Sequence, residues 1–282
     1  MNAATSILTH RVDGSGDPIL LLNGGMMTLA NWNPIAQPLS ATGRVIRCDF
    51  RGQWLSPGPP LRGRLSEHVD DVVALLDELQ VERAHVIGTS FGGEVATLLA
   101  ATKPARVRSL VVATAADRGT RGFEDGILAL RRACDLAISG EDRFAMFDLL
   151  MAETYSQDYL DANRDRLAGR RNQVAAMPDT WFAGTASILD ALVGLDLRPH
   201  LPHISCPTLV VIAEHDCIMP LERSRGLVSG IPGAVEILVP GSGHAVVVEK
   251  PEEFVRICQA FLENQIAGRS GSPRGPRTAA PS

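Results

Sequence analysis

Six short, mostly apolar runs recur along the chain: Pro18–Leu22, Val45–Asp49, Ala84–Gly88, Ser109–Ala113, Thr208–Ala213 and Val235–Val239. Each is largely apolar without strict alternation, Arg47, Asp49, His85 and Glu236 being the charged or polar interruptions, which predicts strands covered on both faces, as in a parallel sheet. Between them, apolar residues return at helical spacing. Val69, Val72, Val73, Leu75, Leu76 and Leu79 form one stripe across Leu65–Leu79. Ser90–Ala101 and Glu252–Leu262 repeat the pattern, the latter behind Pro251, a residue suited to a helix start. Strands alternating with helices predict a doubly wound α/β fold around a mostly parallel sheet.

The alternation breaks between about Asp117 and Pro202. Gly122–Ser139, Glu141–Ala152, Ser156–Gly169 and Thr180–Val193 read as helices with no strand among them. Such an insertion between two sheet strands reads as a helical cap over the strand ends. The expected organisation is core over 1–117, cap over 118–202, core again over 203–267, and a Gly/Pro/Ser-rich disordered tail over 268–282. Composition narrows the partners. A net charge of −5 with no basic stripe argues against nucleic acid. No stretch is long and apolar enough to span a membrane, and the N-terminus lacks the features of a signal peptide. The five cysteines lack metal-ligand spacing, and a reducing cytoplasmic compartment is the default. Oligomeric state is left open.

Gly88-Thr89-Ser90-Phe91-Gly92 is a G-x-S-x-G pentapeptide placed between a predicted strand and a predicted helix. That context is what distinguishes it from a chance match. A serine on a tight strand-to-helix turn exposes its Oγ, and small neighbours keep the turn free of clashes. A hydroxyl needs a base to become a nucleophile. His244 lies in a glycine-rich loop after the last strand, in the right chain order. Asp216 follows the strand Thr208–Ala213 and suits the acid that orients the imidazole; Glu214 and Asp117 are its competitors. An oxyanion hole needs backbone N–H donors. Phe91 is one candidate, and Gly25, with Met26 as fallback, the other.

These segments resemble the α/β-hydrolase superfamily, in its branch of small cap-bearing enzymes that includes enol-lactonases, perhydrolases and carbon–carbon bond hydrolases. The resemblance rests on GTSFGG, VIAEHDCIMP and GSGHAVVVEKPEEF, and spans Pro18–Asp117 and Pro207–Leu262. It implies a serine hydrolase acting through an acyl-enzyme on Ser90, without cofactor or metal, on a small to medium apolar ester, lactone or thioester. Carbon–carbon hydrolysis of a diketone and a non-hydrolytic lyase, cyclase or ligand-binding role are the alternatives. Two departures stand out. Asn23 replaces the histidine common before the oxyanion-turn glycine, and Trp54 replaces the second glycine of D-x-R-G-x-G-x-S. Both are candidate pocket residues, together with Phe147, Met177, Trp181, Arg170 and Arg171 in the cap. The bland readings are packing for the aromatic and methionine side chains, and an exposed helix end for the arginines.

Overall fold

A computed structural model describes residues 8–54, 56 and 63–270. Among the described residues seven strands form one sheet in the order β1-β3-β2-β4-β5-β6-β7. They are β1 (His10–Asp13), β2 (Pro18–Leu22), β3 (Arg44–Cys48), β4 (Ala84–Thr89), β5 (Val107–Ala113), β6 (Thr208–Ala213) and β7 (Val235–Val239). All neighbours pair in parallel except β1, which runs antiparallel to β3.

The continuous apolar runs are explained by the two faces they cover. Leu20, Leu22, Val86, Leu110 and Val112 join one buried cluster, whereas Ile19, Leu21, Ile87, Val111 and Val211 join another. Alternate residues of one strand therefore serve opposite faces, and both must be apolar. The first face is covered by α2 (Leu65–Glu78) and α3 (Phe91–Thr102), the second by α1 (Asn33–Leu39) and α11 (Pro251–Ser270).

The edges depart from the sequence reading. β1 escapes notice because it is four residues long and only half buried. β7 is largely apolar yet exposes Val235, Glu236, Ile237 and Leu238, burying Val239 alone, because among the described residues no further strand pairs with it. Helix α11 extends through Ser270, so residues 268–270 are helical; the remainder of the expected tail lies outside the described residues.

Five α-helices lie between β5 and β6: α4 (Arg121–Ser139), α5 (Ala145–Thr154), α6 (Gln157–Ala162), α7 (Arg164–Ala175) and α8 (Asp179–Asp190). The stretch expected as one helix over Ser156–Gly169 is broken at Asn163 into α6 and α7. Arg143 fastens this group. It donates to Ala175 O at 2.7 Å, Ala137 O at 2.9 Å and the Met177 carbonyl, and its guanidinium lies 4.9 Å from the Phe182 ring centroid. Carbonyls near helix C-termini lack intrahelical donors, and one guanidinium satisfies several of them. The chain is completed by α9 (Leu221–Gly230) and α10 (Val246–Glu249). Among the described residues no helix is long and apolar enough to cross a membrane.

Candidate active site

Ser90 stands between β4 and α3 with φ 50° and ψ −126°. This is a strained conformation for a non-glycine residue, and the surroundings enforce it. A Cβ on Gly88 would lie 2.2 Å from Gly92 O, and one on Gly92 would lie 2.3 Å from Leu22 O. Both glycines are therefore demanded by close backbone approach, and Ser90 N–H is pinned to Ala113 O of β5 at 2.9 Å. The seat of Ser90 is also the N-terminal end of α3, where unpaired N–H groups favour negative charge.

His244 and Asp216 arrive from loops at the C-terminal ends of β7 and β6. His244 Nε2 lies 2.9 Å from Ser90 Oγ, and its Nδ1 lies 2.9 and 3.0 Å from the two Asp216 oxygens. Both side chains are buried. Asp216 Oδ1 also accepts from the N–H groups of Ile218 at 3.0 Å and Met219 at 2.8 Å. Those donors hold the carboxylate in place. The competing acids point elsewhere. Asp117 pairs with Arg118 and fits against Gly226, while Glu214 accepts from Gly241 N–H at the surface.

Above Ser90 lies a cavity of about 190 Å³. Its walls are mostly apolar and rich in methionine (Met26, Met27, Met146, Met151 and Met219), with Phe147 and Phe91 among the rings. Gly25 and Met26 line it beside Ser90, as does Arg170. The other pocket candidates lie outside the lining. Arg171 grips Asp148 through two 2.6 Å bonds and covers the Phe144 ring, holding the Asp148 carboxyl below its ordinary range. Adjacent helical residues diverge by about 100°, so only one of the two arginines faces inward. Trp181 packs edge-to-face on Phe182, and Met177 is packed against the main core cluster. Trp54 is 47% exposed, with φ 25°. Asn23 is fully buried and bonded to Trp32, Asp49 and Gln53.

Two contacts escaped the sequence reading. Glu249 accepts from Gly243 N–H at 3.1 Å, from Ser156 N–H at 3.1 Å and from Ser156 Oγ at 2.6 Å. It thereby ties the loop that carries His244 to the start of α6. Gln53 bonds the turn that holds Gly24 and Gly25. A signal for Gln53 existed in its place within the D-x-R-G segment; Glu249 had only its proximity to His244.

A sequence model of the alpha/beta hydrolase family matches residues 19–257. The chain belongs to that family. It is an enzyme with the hydrolase fold, and its relatives are hydrolases of several kinds. RutD of a Caulobacter species, named as a candidate carbamate hydrolase, is 30% identical, with 92% of this chain and 97% of the relative covered. The pimeloyl-acyl-carrier-protein methyl ester esterase of Aliivibrio salmonicida is 25% identical over 92% of this chain and 97% of its own length. Among solved structures, the enol-lactonase of Burkholderia xenovorans has a TM-score of 0.79 at 27% identity, covering 91% of this chain and 96% of that one. The hydrolase MGS-M2 from a deep-sea metagenome reaches 0.85 at 21% identity over 96% and 97%, a likeness of fold alone.

Proposed function

We propose that this enzyme hydrolyses small to medium, largely apolar carboxylic esters or lactones through an acyl-enzyme on Ser90. The hydrogen-bonded chain Ser90–His244–Asp216 at the floor of an apolar cavity carries the reading. Ser90 Oγ attacks the carbonyl carbon while His244 Nε2 takes its proton. Asp216 holds the imidazole tautomer and stabilises the imidazolium. The carbonyl oxygen becomes an oxyanion that accepts from Phe91 N–H and from the turn bearing Gly25 and Met26. As the tetrahedral intermediate collapses, the leaving alkoxide takes the proton from His244. Water, deprotonated by His244, then attacks the acyl-enzyme, and the acid leaves with Ser90 regenerated.

The cavity chooses among carbonyl compounds. Its apolar walls favour a substrate that gives up little hydration on entering. A small polar carbamate loses more, so an apolar ester fits better than the chemistry named for RutD. Five methionines make the walls adaptable, which favours tolerance of acyl-chain shape. Arg170, the one guanidinium among the described residues of the lining, suits an acyl chain ending in a carboxylate. The helices between β5 and β6 act as the cap that keeps water out. All five cysteines are free thiols, which supports a reducing cytoplasmic setting.

The test is intact-mass analysis after a fluorophosphonate probe, on wild type and Ser90→Ala, followed by p-nitrophenyl ester and lactone panels. One adduct on the wild type, none on the variant, and loss of ester turnover in the variant are expected. Turnover that survives Ser90→Ala rules out the acyl-enzyme.

A further inference from the structure

The turn that lines the cavity beside Ser90 contains two consecutive glycines, Gly24 and Gly25. Such a pair is free to rotate unless something holds its peptide planes. A methyl group on Gly24 would lie 3.6 Å from Ser90 Cβ, so the turn is in the nucleophile's immediate neighbourhood.

Gly24 O accepts from Met27 N–H at 3.1 Å within the turn, and one further nitrogen joins the two planes. Gln53 Nε2 donates to Gly24 O at 2.8 Å and to Gly25 O at 3.1 Å. The Gln53 side chain is buried, and its Oε1 accepts from Phe50 N–H and from Asn23 Nδ2, each at 3.0 Å. A backbone N–H only donates and carbonyls only accept, so one orientation of the amide satisfies every partner. Asn23 is oriented in the same way. Its Oδ1 accepts from Trp32 Nε1–H at 2.8 Å, and its Nδ2 donates to Asp49 Oδ1 at 3.0 Å.

In a trans peptide the C=O and the N–H of the same unit point in opposite directions. The Gly24 carbonyl shares its unit with Gly25 N–H, and the Gly25 carbonyl shares its unit with Met26 N–H. Gln53 stands behind the turn, outside the cavity lining, and draws both oxygens toward itself. The two N–H groups are thereby turned the other way, to the side where Gly25, Met26, Ser90 and Phe91 line the cavity. On the reading that Ser90 is acylated and this turn donates to the oxyanion, we propose that Gln53 is the positioning residue that aims both Gly25 N–H and Met26 N–H at the tetrahedral intermediate.

Donors fixed before reaction need no reorganisation when the oxyanion forms, so their benefit appears in the transition state. The experiment uses Gln53→Met, which keeps the chain length and removes the amide. Gln53→Glu keeps an acceptor for Phe50 and Asn23 but sets an oxygen against the two carbonyls. Turnover of p-nitrophenyl butyrate is measured per serine labelled to completion by fluorophosphonate, together with inhibition by phenylboronic acid, whose tetrahedral adduct mimics the intermediate. The expected result is a fall of about 10²-fold in kcat per labelled serine, KM within about three-fold, and a parallel loss of boronate affinity. A residue that merely supports the fold lowers Tm and the fraction labelled, and leaves kcat per labelled serine within about two-fold. That result in Gln53→Met overturns the proposal, even if Gln53→Glu fails to fold. So does a loss of kcat with unchanged boronate affinity, or one matched by an equal rise in KM. Ser90→Ala, assayed alongside, separates the two levels: if it retains turnover, the acyl-enzyme reading itself has failed.

Discussion

At the scale of the residue, strain and burial tell functional positions from ornamental ones. Ser90 keeps a positive φ because glycines on either side allow backbone to approach within contact. Gly88→Ala is expected to cost more than about 3 kcal/mol, beyond the ordinary range for point changes, since its methyl meets a carbonyl that cannot move; urea unfolding measures this. Asp216→Asn leaves the geometry nearly intact but allows the wrong imidazole tautomer. A fall of about 10⁴-fold in kcat, with labelling of Ser90 slowed in step, is expected from comparable triads. Trp54 provides the contrast. Its left-handed backbone costs about 1–2 kcal/mol for a residue with a Cβ, and a glycine there costs about 0.5–1 kcal/mol in chain entropy. Trp54→Gly is therefore expected to raise stability slightly in thermal unfolding. Because the ring lies outside the cavity, turnover of small esters should stay unchanged.

At the scale of the element, two helices carry buried titratable groups that oppose each other. On α2, His68 is fully buried between the Phe50 and Phe91 rings. Burial, aided by the charge of Arg51, pushes its pKa from 6.5 down to about 3. The unfolded chain takes up the proton first as pH falls, so stability is full above pH 6.5 and is lost on the way down to about 3. On α3, burial raises Glu94 from 4.5 to about 8 against the donation of Ala116 N–H, with the Asp216 charge adding to the rise. The native state keeps that proton longer, so stability is full below pH 4.5 and is lost as pH climbs to about 8. The slopes offset each other between pH 4.5 and 6.5. The urea midpoint is expected to form a plateau there and decline on both sides. His68→Leu should flatten the acid limb and Glu94→Gln the alkaline limb; unchanged limbs in both variants would refute this account.

At the scale of the whole molecule, the loop that carries His244 and the inserted helices are bonded to one another. Glu249 spans from Gly243, next to His244, to Ser156 at the start of α6, and Ala245 N–H donates to Thr154 O at 3.0 Å. Misplacing a reacting group by about 1 Å costs on the order of 10² in rate. Glu249→Ala is accordingly expected to lower kcat at least ten-fold while moving apolar probes of the cavity little. Gly52 and Gly184 bring α8 against the loop that carries Gln53: a Cβ on Gly184 would fall 1.9 Å from Gly52 O. The inserted helices therefore seat on the segment whose Gln53 bonds the Gly24–Gly25 turn, and a bulkier residue at position 184 should disturb both.

The sequence by itself determined the layered architecture, because strands buried on both faces must be continuously apolar and their helices must carry a stripe. It also singled out Ser90, Asp216 and His244 as candidates in chain order, since a tight strand-to-helix turn needs its glycines locally and the other two follow strand ends. Only the tertiary structure decided what depends on direction. It chose Arg170 over Arg171 for the cavity, turned Trp54 and Asn23 away from it, and left β7 exposed at the sheet edge. It also brought Gln53 behind Gly24 and Gly25, and Glu249 beneath Gly243. Such contacts join groups from different elements whose side-chain directions follow from packing, and no local pattern of apolar and polar positions encodes them.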